Sequence, residues 1–504
     1  MQTLLPSNFT RPAFLAVTAS ALVGLSACGG GSSGDGSSTG GNPAPTTGTV
    51  AILLTDGPTD DFCQILATVE SIDLLGANGP TNVFVGPETV DVLGMRNYTD
   101  VFSIDTAVPI GTYEKIRLTL SDLALVECVP GTGANEGQMV PEPEGDWEHP
   151  KLPGNGKLDL NPRGSFEVVG GEGMIIELDL DMEKSLHVHQ TGNGKWQFRP
   201  VIFVTIRPDE TKLVRVFGQV RDLNGTDFEL CPAEPASSTD DDDNGMNGDM
   251  NGDDDSGHCI DVFGSGASFF NGTGDLVAGP AANGDLLTAI GFLGIHDDND
   301  DSDSRMDDLK LDARVVELGD QGTFDRPVGA VVSTPPGNDG LFVFDPIEYL
   351  IDPVNVKYQN GTRIFALGSN AELGTAALQP GTTGQVDGVL DDATVGPLKS
   401  ALIVLDQDTT PDLSLLDATV KSIAPAGADP LVRQFTVDYA AITGQCVKTD
   451  ATTAYLLITE TPTTFTVEAK DFSMLAVNDV VDIYGSDDAG CVLADSIQEY
   501  VVTP

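Results

Sequence analysis

The sequence predicts an all-β protein, in which an N-terminal β-sandwich is followed by three small OB-like β-barrel modules in series. Helix-period patterns are scarce, whereas short alternating or β-branched runs bounded by Gly, Asn, Asp and Pro occur throughout. Asn-Gly-Thr recurs at Asn224, Asn271 and Asn360, each beside such a run, and Asn-Gly is a strong hairpin signal. One plan of short strands also repeats three times after residue 211, which indicates similar units in tandem.

The N-terminal residues 1–27 have the pattern of an export signal. The apolar run Pro12–Gly24 is too short for a permanent transmembrane helix and suits a secretory signal. Leu25-Ser26-Ala27-Cys28 follows, and it resembles the lipobox of bacterial lipoproteins. The resemblance implies cleavage before Cys28, diacylglycerol on its thiol and a fatty acid such as palmitate on the new N-terminus. The alternatives are an ordinary secretory signal or a weak membrane anchor.

Residues 28–48 form a predicted Gly/Ser-rich linker, because they offer almost no side chains that could be buried. Gly29 after the cysteine resembles the lipoproteins that are sorted to the outer membrane. We therefore expect a lipid-anchored protein of the cell envelope, at the outer membrane, on its periplasmic or its surface side. No later apolar run reaches the length of a transmembrane helix.

The charge of the chain restricts its partners. Lys and Arg number 25 against 77 Asp and Glu, a formal net charge of -52. Such a surface repels phosphate backbones and anionic lipid headgroups, so we expect no nucleic-acid partner. The lipid, rather than charge, would hold the protein at the membrane. The expected partners are the membrane, through the lipid anchor, and an unknown envelope or extracellular ligand.

Residues 49–208 form the predicted sandwich. Its characteristic segments are Thr55-Asp56-Gly57-Pro58 after the first strand, Val90-Asp91-Val92-Leu93, Gly111 to Arg117 and the closing Pro200-Val201-Ile202. In this order they resemble the bacterial family called domain of unknown function 4382, except that Gly57 stands where that family has Ala. The resemblance implies an exported β-sandwich, often on lipoproteins, and it implies no activity.

Three OB-like modules are predicted at residues 212–318, 324–408 and 412–502, each with five short strands. Their closing strands contain an Ala near the centre. The penultimate and closing strands are Leu286–Phe292 and Leu309–Val316, Gly384–Leu390 and Leu398–Val404, and Asp479–Gly485 and Val492–Ile497. The general pattern resembles the exported family called domain of unknown function 5666. The alternative is a run of unrelated hairpins.

The cysteines predict disulfides. With Cys28 assigned to lipid, six cysteines remain, and an exported protein meets an oxidising compartment. The module boundaries, drawn without reference to cysteine, leave two cysteines in each of three modules. The predicted bridges are therefore Cys63–Cys128, Cys231–Cys259 and Cys446–Cys491. The alternative is free buried thiols.

Two acidic insertions interrupt the first module, Thr239–Gly257 and His296–Asp308. In the first insertion, oxygen-bearing residues alternate before glycines as they do in Ca²⁺-binding loops. The candidate metal ligands are Asp240, Asp242, Asn244, Asp249 and Asn251. Asn251 stands where an EF-hand has its bidentate Glu, so any Ca²⁺ site would be weak, and no other cofactor is required. The alternative is a solvated acidic loop.

Two further patterns have less specific interpretations. Glu177, Asp179, Asp181 and Glu183 alternate, which places them on one face of a strand, and we expect that face to be exposed to solvent. The three histidines of the sandwich could bind zinc, although a His-x-His pair is a weak signal. They are His149, His187 and His189.

Catalytic signatures are absent from the sequence, including the nucleophile elbow, the zinc-protease motif and phosphate-binding glycine loops. The favoured function is a non-catalytic envelope lipoprotein that displays β-modules for binding a ligand, matrix or partner, with weak calcium binding. One alternative is a hydrolase that cleaves envelope glycans with two carboxylates. Another is a structural spacer whose function is reach.

Overall fold

The computed structural model describes residues 46–57, 62–95, 98–130, 139–188, 196–207, 210, 212–231, 259–280, 282–295, 309–320, 322–333, 340–346, 353–391, 396–407, 412–425 and 432–503. Within these ranges the protein is all-β, and the predicted fold class is confirmed. The only α-helix there is the single turn Met182–Ser185. Short 3-10 helices lie at Val92–Met95, Glu144–Asp146, Pro153–Gly156, Thr375–Ala377 and Phe472–Met474. None of the described helices is long and apolar enough to cross a membrane.

The sandwich consists of two sheets that face each other. Its strands β1 to β13 are Thr47–Gly57, Gln64–Gly76, Gly79–Asp91, Thr99–Pro109, Gly111–Val126, Cys128–Pro130, Met139–Pro141, Lys157–Asn161, Phe166–Val168, Gly173–Asp181, Leu186–Val188, Trp196–Phe198 and Ile202–Arg207. One sheet has the order β13-β10-β1-β4 and the other the order β8-β5-β2-β3. Alternate residues of both sheets point inward, so Ile52 and Ile176 share one core with Ile72 and Leu118.

Three closed five-stranded barrels follow, each with the same strand order. The strands β14 to β20 of barrel one are Val214–Asn224, Asp227–Cys231, Ile260–Phe263, Ser268–Phe270, Leu276–Val277, Leu286–Ile295 and Leu309–Leu318. The strands β21 to β26 of barrel two are Val328–Ser333, Leu341–Pro346, Val354–Lys357, Arg363–Ala366, Thr383–Leu390 and Leu398–Leu405. The strands β27 to β33 of barrel three are Asp412–Ile423, Arg433–Tyr439, Ile442–Thr449, Ala454–Glu460, Phe465–Lys470, Val480–Asp488 and Cys491–Val502.

Barrel one closes in the order β14-β15-β16-β20-β19 and back to β14. Barrel two closes as β21-β22-β23-β26-β25, and barrel three as β27-β28-β29-β33-β32. In each barrel the third and closing strands are parallel, and the other neighbours are antiparallel. The repeat seen in the sequence therefore corresponds to one repeated topology.

A glycine bulge recurs in the penultimate strand of every barrel. The register shifts at Gly291, Gly388 and Gly485, where a Cβ atom would lie 2.0–2.3 Å from a carbonyl oxygen of the closing strand. Gly291 lies opposite Ala313 and Gly485 opposite Ala494, which are central Ala residues of their closing strands. In barrel two the residue opposite Gly388 is Ser400 rather than Ala401. The bulge brings two backbones so close that only glycine fits.

The four units share hydrophobic clusters instead of being independent. Barrel one packs on the outer side of the first sandwich sheet, where Leu53 and Ile175 join its core residues. Barrels one and two bury a common cluster that includes Phe270 and Phe365. Barrel three returns to the sandwich, because β31 pairs in parallel with β8 and Phe465 is fully buried in the sandwich core. The modules are serial along the chain, yet the last one contacts the first.

The structure contains the three disulfides that the sequence predicts, Cys63–Cys128, Cys231–Cys259 and Cys446–Cys491. They lie in the sandwich, barrel one and barrel three, and barrel two has no cysteine. Cys446 and Cys491 are register partners in the parallel strands β29 and β33. Each bridge thus joins segments that are distant in sequence within a single unit.

Candidate functional site

A cleft of about 1180 Å³ lies between the sandwich and barrel one. It is bounded by β3 and β4 of the sandwich, by β14, β15 and β16 of barrel one, and by Arg326 before barrel two. The cleft exceeds the usual size range of small-molecule sites, about 300–1,000 Å³. The second and third strands of OB-folds frequently form the ligand-binding face, and in barrel one these strands, β15 and β16, line the cleft.

The cleft exists because two parallel strands separate. β4 and β14 pair only at Thr99 with Val214 and at Asp100 with Arg215. Beyond this point β4 continues along β1 in the sandwich, whereas β14 turns into barrel one and pairs with β19. The apex of the gap is held by Arg215, whose guanidinium donates hydrogen bonds of 2.8 and 2.7 Å to the carboxylate of Asp100.

Aromatic and polar side chains line the sandwich wall of the cleft. The rings of Phe84 and Phe102 lie 4.4 Å apart between their centroids, and Ser103 donates a 2.7 Å hydrogen bond to the carbonyl of Val83. These contacts hold β3 against β4 at the corner where the two sheets meet. Val85 projects from the same wall with 77% of its surface exposed.

Four carboxylates line the cleft, and three of them accept hydrogen bonds from neighbouring groups. Asp100 binds Arg215, Asp91 accepts bonds from the Gln64 side chain and the Ile65 amide, and Asp105 accepts one from the Ala107 amide. Glu88 is exposed at the rim, and its partial burial raises the pKa of its carboxyl above the ordinary value. The cleft is therefore acidic, since its two arginines are matched by carboxylates of the protein.

Arg326 connects the cleft to a buried charged group, the junction cluster, defined by Tyr98, Glu317, Arg326 and Asp387. Arg326 donates a 2.5 Å hydrogen bond to Glu317, and its Nε lies 3.4 Å from Asp387. Burial is the main cause that raises the pKa of Glu317 to about 8, and Asp387 adds to the effect. Burial likewise raises the pKa of Tyr98 well above its usual value. The cluster lies where the sandwich and barrels one and two meet.

The prediction of a solvent-exposed carboxylate face on β10 is wrong. Glu177 and Asp181 are only 3% and 4% exposed. Glu177 lies beneath the link to barrel one, where Arg207 and Lys212 pair with it and hold its pKa below the usual value despite burial. Asp181 pairs with the buried Lys184. The alternating pattern correctly groups residues on one face, but it contains no information about what covers that face.

A neighbouring carboxylate completes the group around Glu177. Glu210 accepts a 2.7 Å hydrogen bond from Arg207, and its amide donates a 2.8 Å bond to Leu293 of barrel one. Burial, with the charge of Glu177, raises the pKa of Glu210 to about 7. These ion pairs lie at the link between the sandwich and barrel one, so we assign them a structural role.

Several candidate residues lie outside the described ranges. They are the lipidation residue Cys28 and the calcium candidates Asp240, Asp242, Asn244, Asp249 and Asn251. Of the three histidines, His149 is exposed and lies 3.0 Å from Asp122, while His189 is outside the described residues. Sequence reasoning did not find the cleft, because its walls come from distant segments with no shared local motif.

A second, smaller cavity of about 250 Å³ lies between the sandwich and barrel three. Its lining is mainly apolar and includes Phe203 and Tyr455, with Arg163 at the edge. Arg163 donates a 2.5 Å hydrogen bond to the carbonyl of Lys470, which connects the two units across the cavity. The small volume and the apolar lining make it a weaker candidate than the cleft.

Comparison with known proteins identifies the sandwich. Residues 47–200 match the family model described as Domain of unknown function (DUF4382), so the predicted resemblance is confirmed for this part of the chain. The search of curated proteins finds no match to this chain, and the search of solved structures finds none either.

Proposed function

We propose that this protein is a lipid-anchored, non-catalytic binding protein of the bacterial cell envelope, and that its ligand occupies the cleft between the sandwich and barrel one. The observation that supports binding is the size and position of the cleft, about 1180 Å³ at a junction of two units. Binding sites are preferentially located at such junctions. Anchoring is supported by the lipobox-like Leu25-Ser26-Ala27-Cys28 and the linker after it. The repeated barrels fit the resemblance to domain of unknown function 5666.

Lipid anchoring is tested by metabolic labelling of producing cells with a clickable palmitate analogue. The wild-type protein should carry label and sediment with the outer membrane, whereas Cys28→Ala should carry no label and should not sediment with the outer membrane. A matched Cys231→Ala/Cys259→Ala protein should still be labelled. Equal labelling of wild type and Cys28→Ala would contradict the anchor.

Ligand binding is tested by site-specific photo-crosslinking in intact envelopes. A photoreactive amino acid at Val85, which lines the cleft, should capture a discrete adduct. The same amino acid at Val480 of barrel three, which is 52% exposed, is the control. Adducts that are identical from both positions, or absent from Val85, would show that the cleft is not the binding site.

Weak calcium binding is proposed for the acidic insertions of barrel one. Asp261 and Lys310 lie shortly after the first and the second insertion, and they are register partners in parallel strands. Both insertions therefore enter the barrel from the same end. The Cys231–Cys259 bridge closes the base of the first insertion, which lowers the entropy that ion binding would cost.

Glycan hydrolysis is the second candidate function, and one observation favours it. Glu88 lines the cleft and its pKa is raised by burial, as a general acid requires. Binding is preferred because the other three carboxylates of the cleft, Asp91, Asp100 and Asp105, already accept hydrogen bonds from groups of the protein. Turnover of purified envelope glycan by wild type and its loss in Glu88→Gln would establish the hydrolase instead.

The spacer alternative receives less support from the arrangement of the units. A spacer that extends over a distance is expected to be an elongated rod. Here β31 of barrel three pairs with β8 of the sandwich, so the last unit contacts the first. Small-angle scattering of the intact chain distinguishes the two shapes.

A further inference from the structure

The gap between β4 and β14 exposes an unpaired strand edge. From Val101 to Asp105, β4 pairs with β1 on one side, and within the described residues its other side has no ladder partner. Across the gap, Val216 to Gly218 of β14 pair with β19 on one side, and β15 joins their other side only at Gln219. Two strand edges therefore border the cleft.

Such edges are normally protected, because unpaired backbone groups attract other strands. On β3, Pro87 and the register shift near it provide this protection. On β4, the residues from Val101 to Asp105 contain neither Pro nor Lys, and they line the cleft rather than the open surface. Five residues of β-strand extend over about 17 Å. The cleft therefore offers an unpaired edge along which one additional strand could pair.

The charges of the cleft favour basic side chains on such an additional strand. Glu88, Asp91 and Asp105 line the cleft, and its two arginines, Arg215 and Arg326, are matched by Asp100 and by Asp387 of the junction cluster. The net charge of the whole chain, -52, attracts cations from a distance. A basic segment would meet complementary charge, whereas an acidic one would be repelled.

We propose that the gap between β4 and β14 binds an extended, Lys- or Arg-bearing segment of a partner protein, which adds as a strand to the free edge of β4. Strand addition supplies affinity through backbone hydrogen bonds and specificity through alternate side chains. This proposal rests on the binding role stated above and names the class of its ligand.

The test uses the full-length, lipid-bearing protein in detergent and a fluorescein-labelled heptapeptide with alternating lysine and valine. Fluorescence anisotropy should give a micromolar dissociation constant. Methylation of alternate backbone nitrogens should raise this constant at least tenfold, because it removes the ladder donors but keeps the charge. A heptapeptide with glutamate in place of lysine should not bind at a hundredfold higher concentration.

Substitutions in the protein test whether the peptide binds in the cleft. Glu88→Gln/Asp105→Asn should raise the dissociation constant about tenfold. Glu114→Gln/Glu167→Gln, which alters two exposed acids of the sandwich outside the cleft, should leave it unchanged. Bound peptide should slow amide hydrogen exchange between Val101 and Asp105 at least tenfold.

Three outcomes would overturn the proposal: binding that is insensitive to N-methylation, exchange between Val101 and Asp105 that does not change, or equal affinity in the two double variants. Failure of the peptide alongside a Val85-specific adduct in envelopes would reject strand addition and retain the binding role. Failure of both would reject the cleft as a binding site.

Discussion

Asp261 and Lys310 lie opposite each other in the neighbouring parallel strands β16 and β20, and each is the second residue of a strand that begins shortly after an acidic insertion. Thr239–Gly257 contains eight Asp residues and His296–Asp308 contains seven. Two segments that are separated in sequence by most of barrel one therefore rejoin the barrel side by side.

We predict that calcium stabilises the protein through the first insertion. A site with a millimolar dissociation constant, typical of extracellular modules, would add about 1.4 kcal/mol to the free energy of unfolding at tenfold excess. Thermal unfolding should therefore shift upward in 10 mM CaCl₂, and less in MgCl₂ at equal ionic strength. Asp240→Asn/Asp242→Asn/Asp249→Asn should remove the shift. Glu70→Gln/Glu114→Gln/Glu167→Gln, with the same charge change elsewhere, should retain it, and an equal response of both variants would refute the site.

The strand pattern was predictable from the sequence because it is local. Alternation and Asn-Gly turns report on a few neighbouring residues, and the three repeats reinforce each other. The cleft was not predictable, because Glu88 and Asp105 of the sandwich meet Arg215 and Arg326, which are more than 100 residues further along the chain, only in the tertiary fold. The same reason explains the error at Glu177: alternation shows which residues share a face, while Arg207 and Lys212 cover that face from another part of the chain.

We predict that the bulge glycines are required for the barrels to close. In Gly388→Ala the new Cβ would lie 2.3 Å from the carbonyl oxygen of Lys399, so the two strands would have to separate. Overpacking of this kind costs about 1–3 kcal/mol. Gly374→Ala is the matched control in the same barrel, because its Cβ would meet no atom within 4 Å. Urea denaturation should show the loss for Gly388→Ala alone, and similar stabilities for the two variants would contradict the role of the bulge.

The disulfide of barrel three offers another measurable contribution. Cys446 and Cys491 are separated by 45 residues, and closing a loop of this length in the unfolded chain corresponds to about 4 kcal/mol on the entropy model. Cys446→Ala/Cys491→Ala should lower the stability of barrel three by this order, and reduction of the wild type should do the same. Val328→Ala in the cysteine-free barrel two should instead destabilise the oxidised and reduced proteins equally. An unchanged unfolding midpoint after removal of the bridge would contradict the prediction.

The junction cluster predicts a loss of stability as the pH rises. Burial raises the pKa of Glu317 to about 8, above the ordinary value of 4.5 that the carboxyl has in the unfolded chain. Between these values the folded state binds more protons than the unfolded state, so the free energy of unfolding falls with increasing pH. For one group the fall is on the order of 2–4 kcal/mol between pH 5 and 8.

Glu317→Gln isolates this contribution, because glutamine resembles the protonated carboxyl and does not titrate. Chemical denaturation at pH 5, 6, 7 and 8 should give a shallower decline for Glu317→Gln than for wild type, with the largest difference at pH 8. Glu114→Gln, on the exposed surface of the sandwich, should keep the wild-type slope, since it shares the general repulsion of a chain with a net charge of -52. Glu210, whose pKa is raised to about 7, should contribute a second, smaller decline that ends at lower pH and persists in Glu317→Gln. Parallel profiles for Glu317→Gln and wild type would show that Glu317 remains ionised in the folded protein and that its ion pair with Arg326 outweighs the cost of burial.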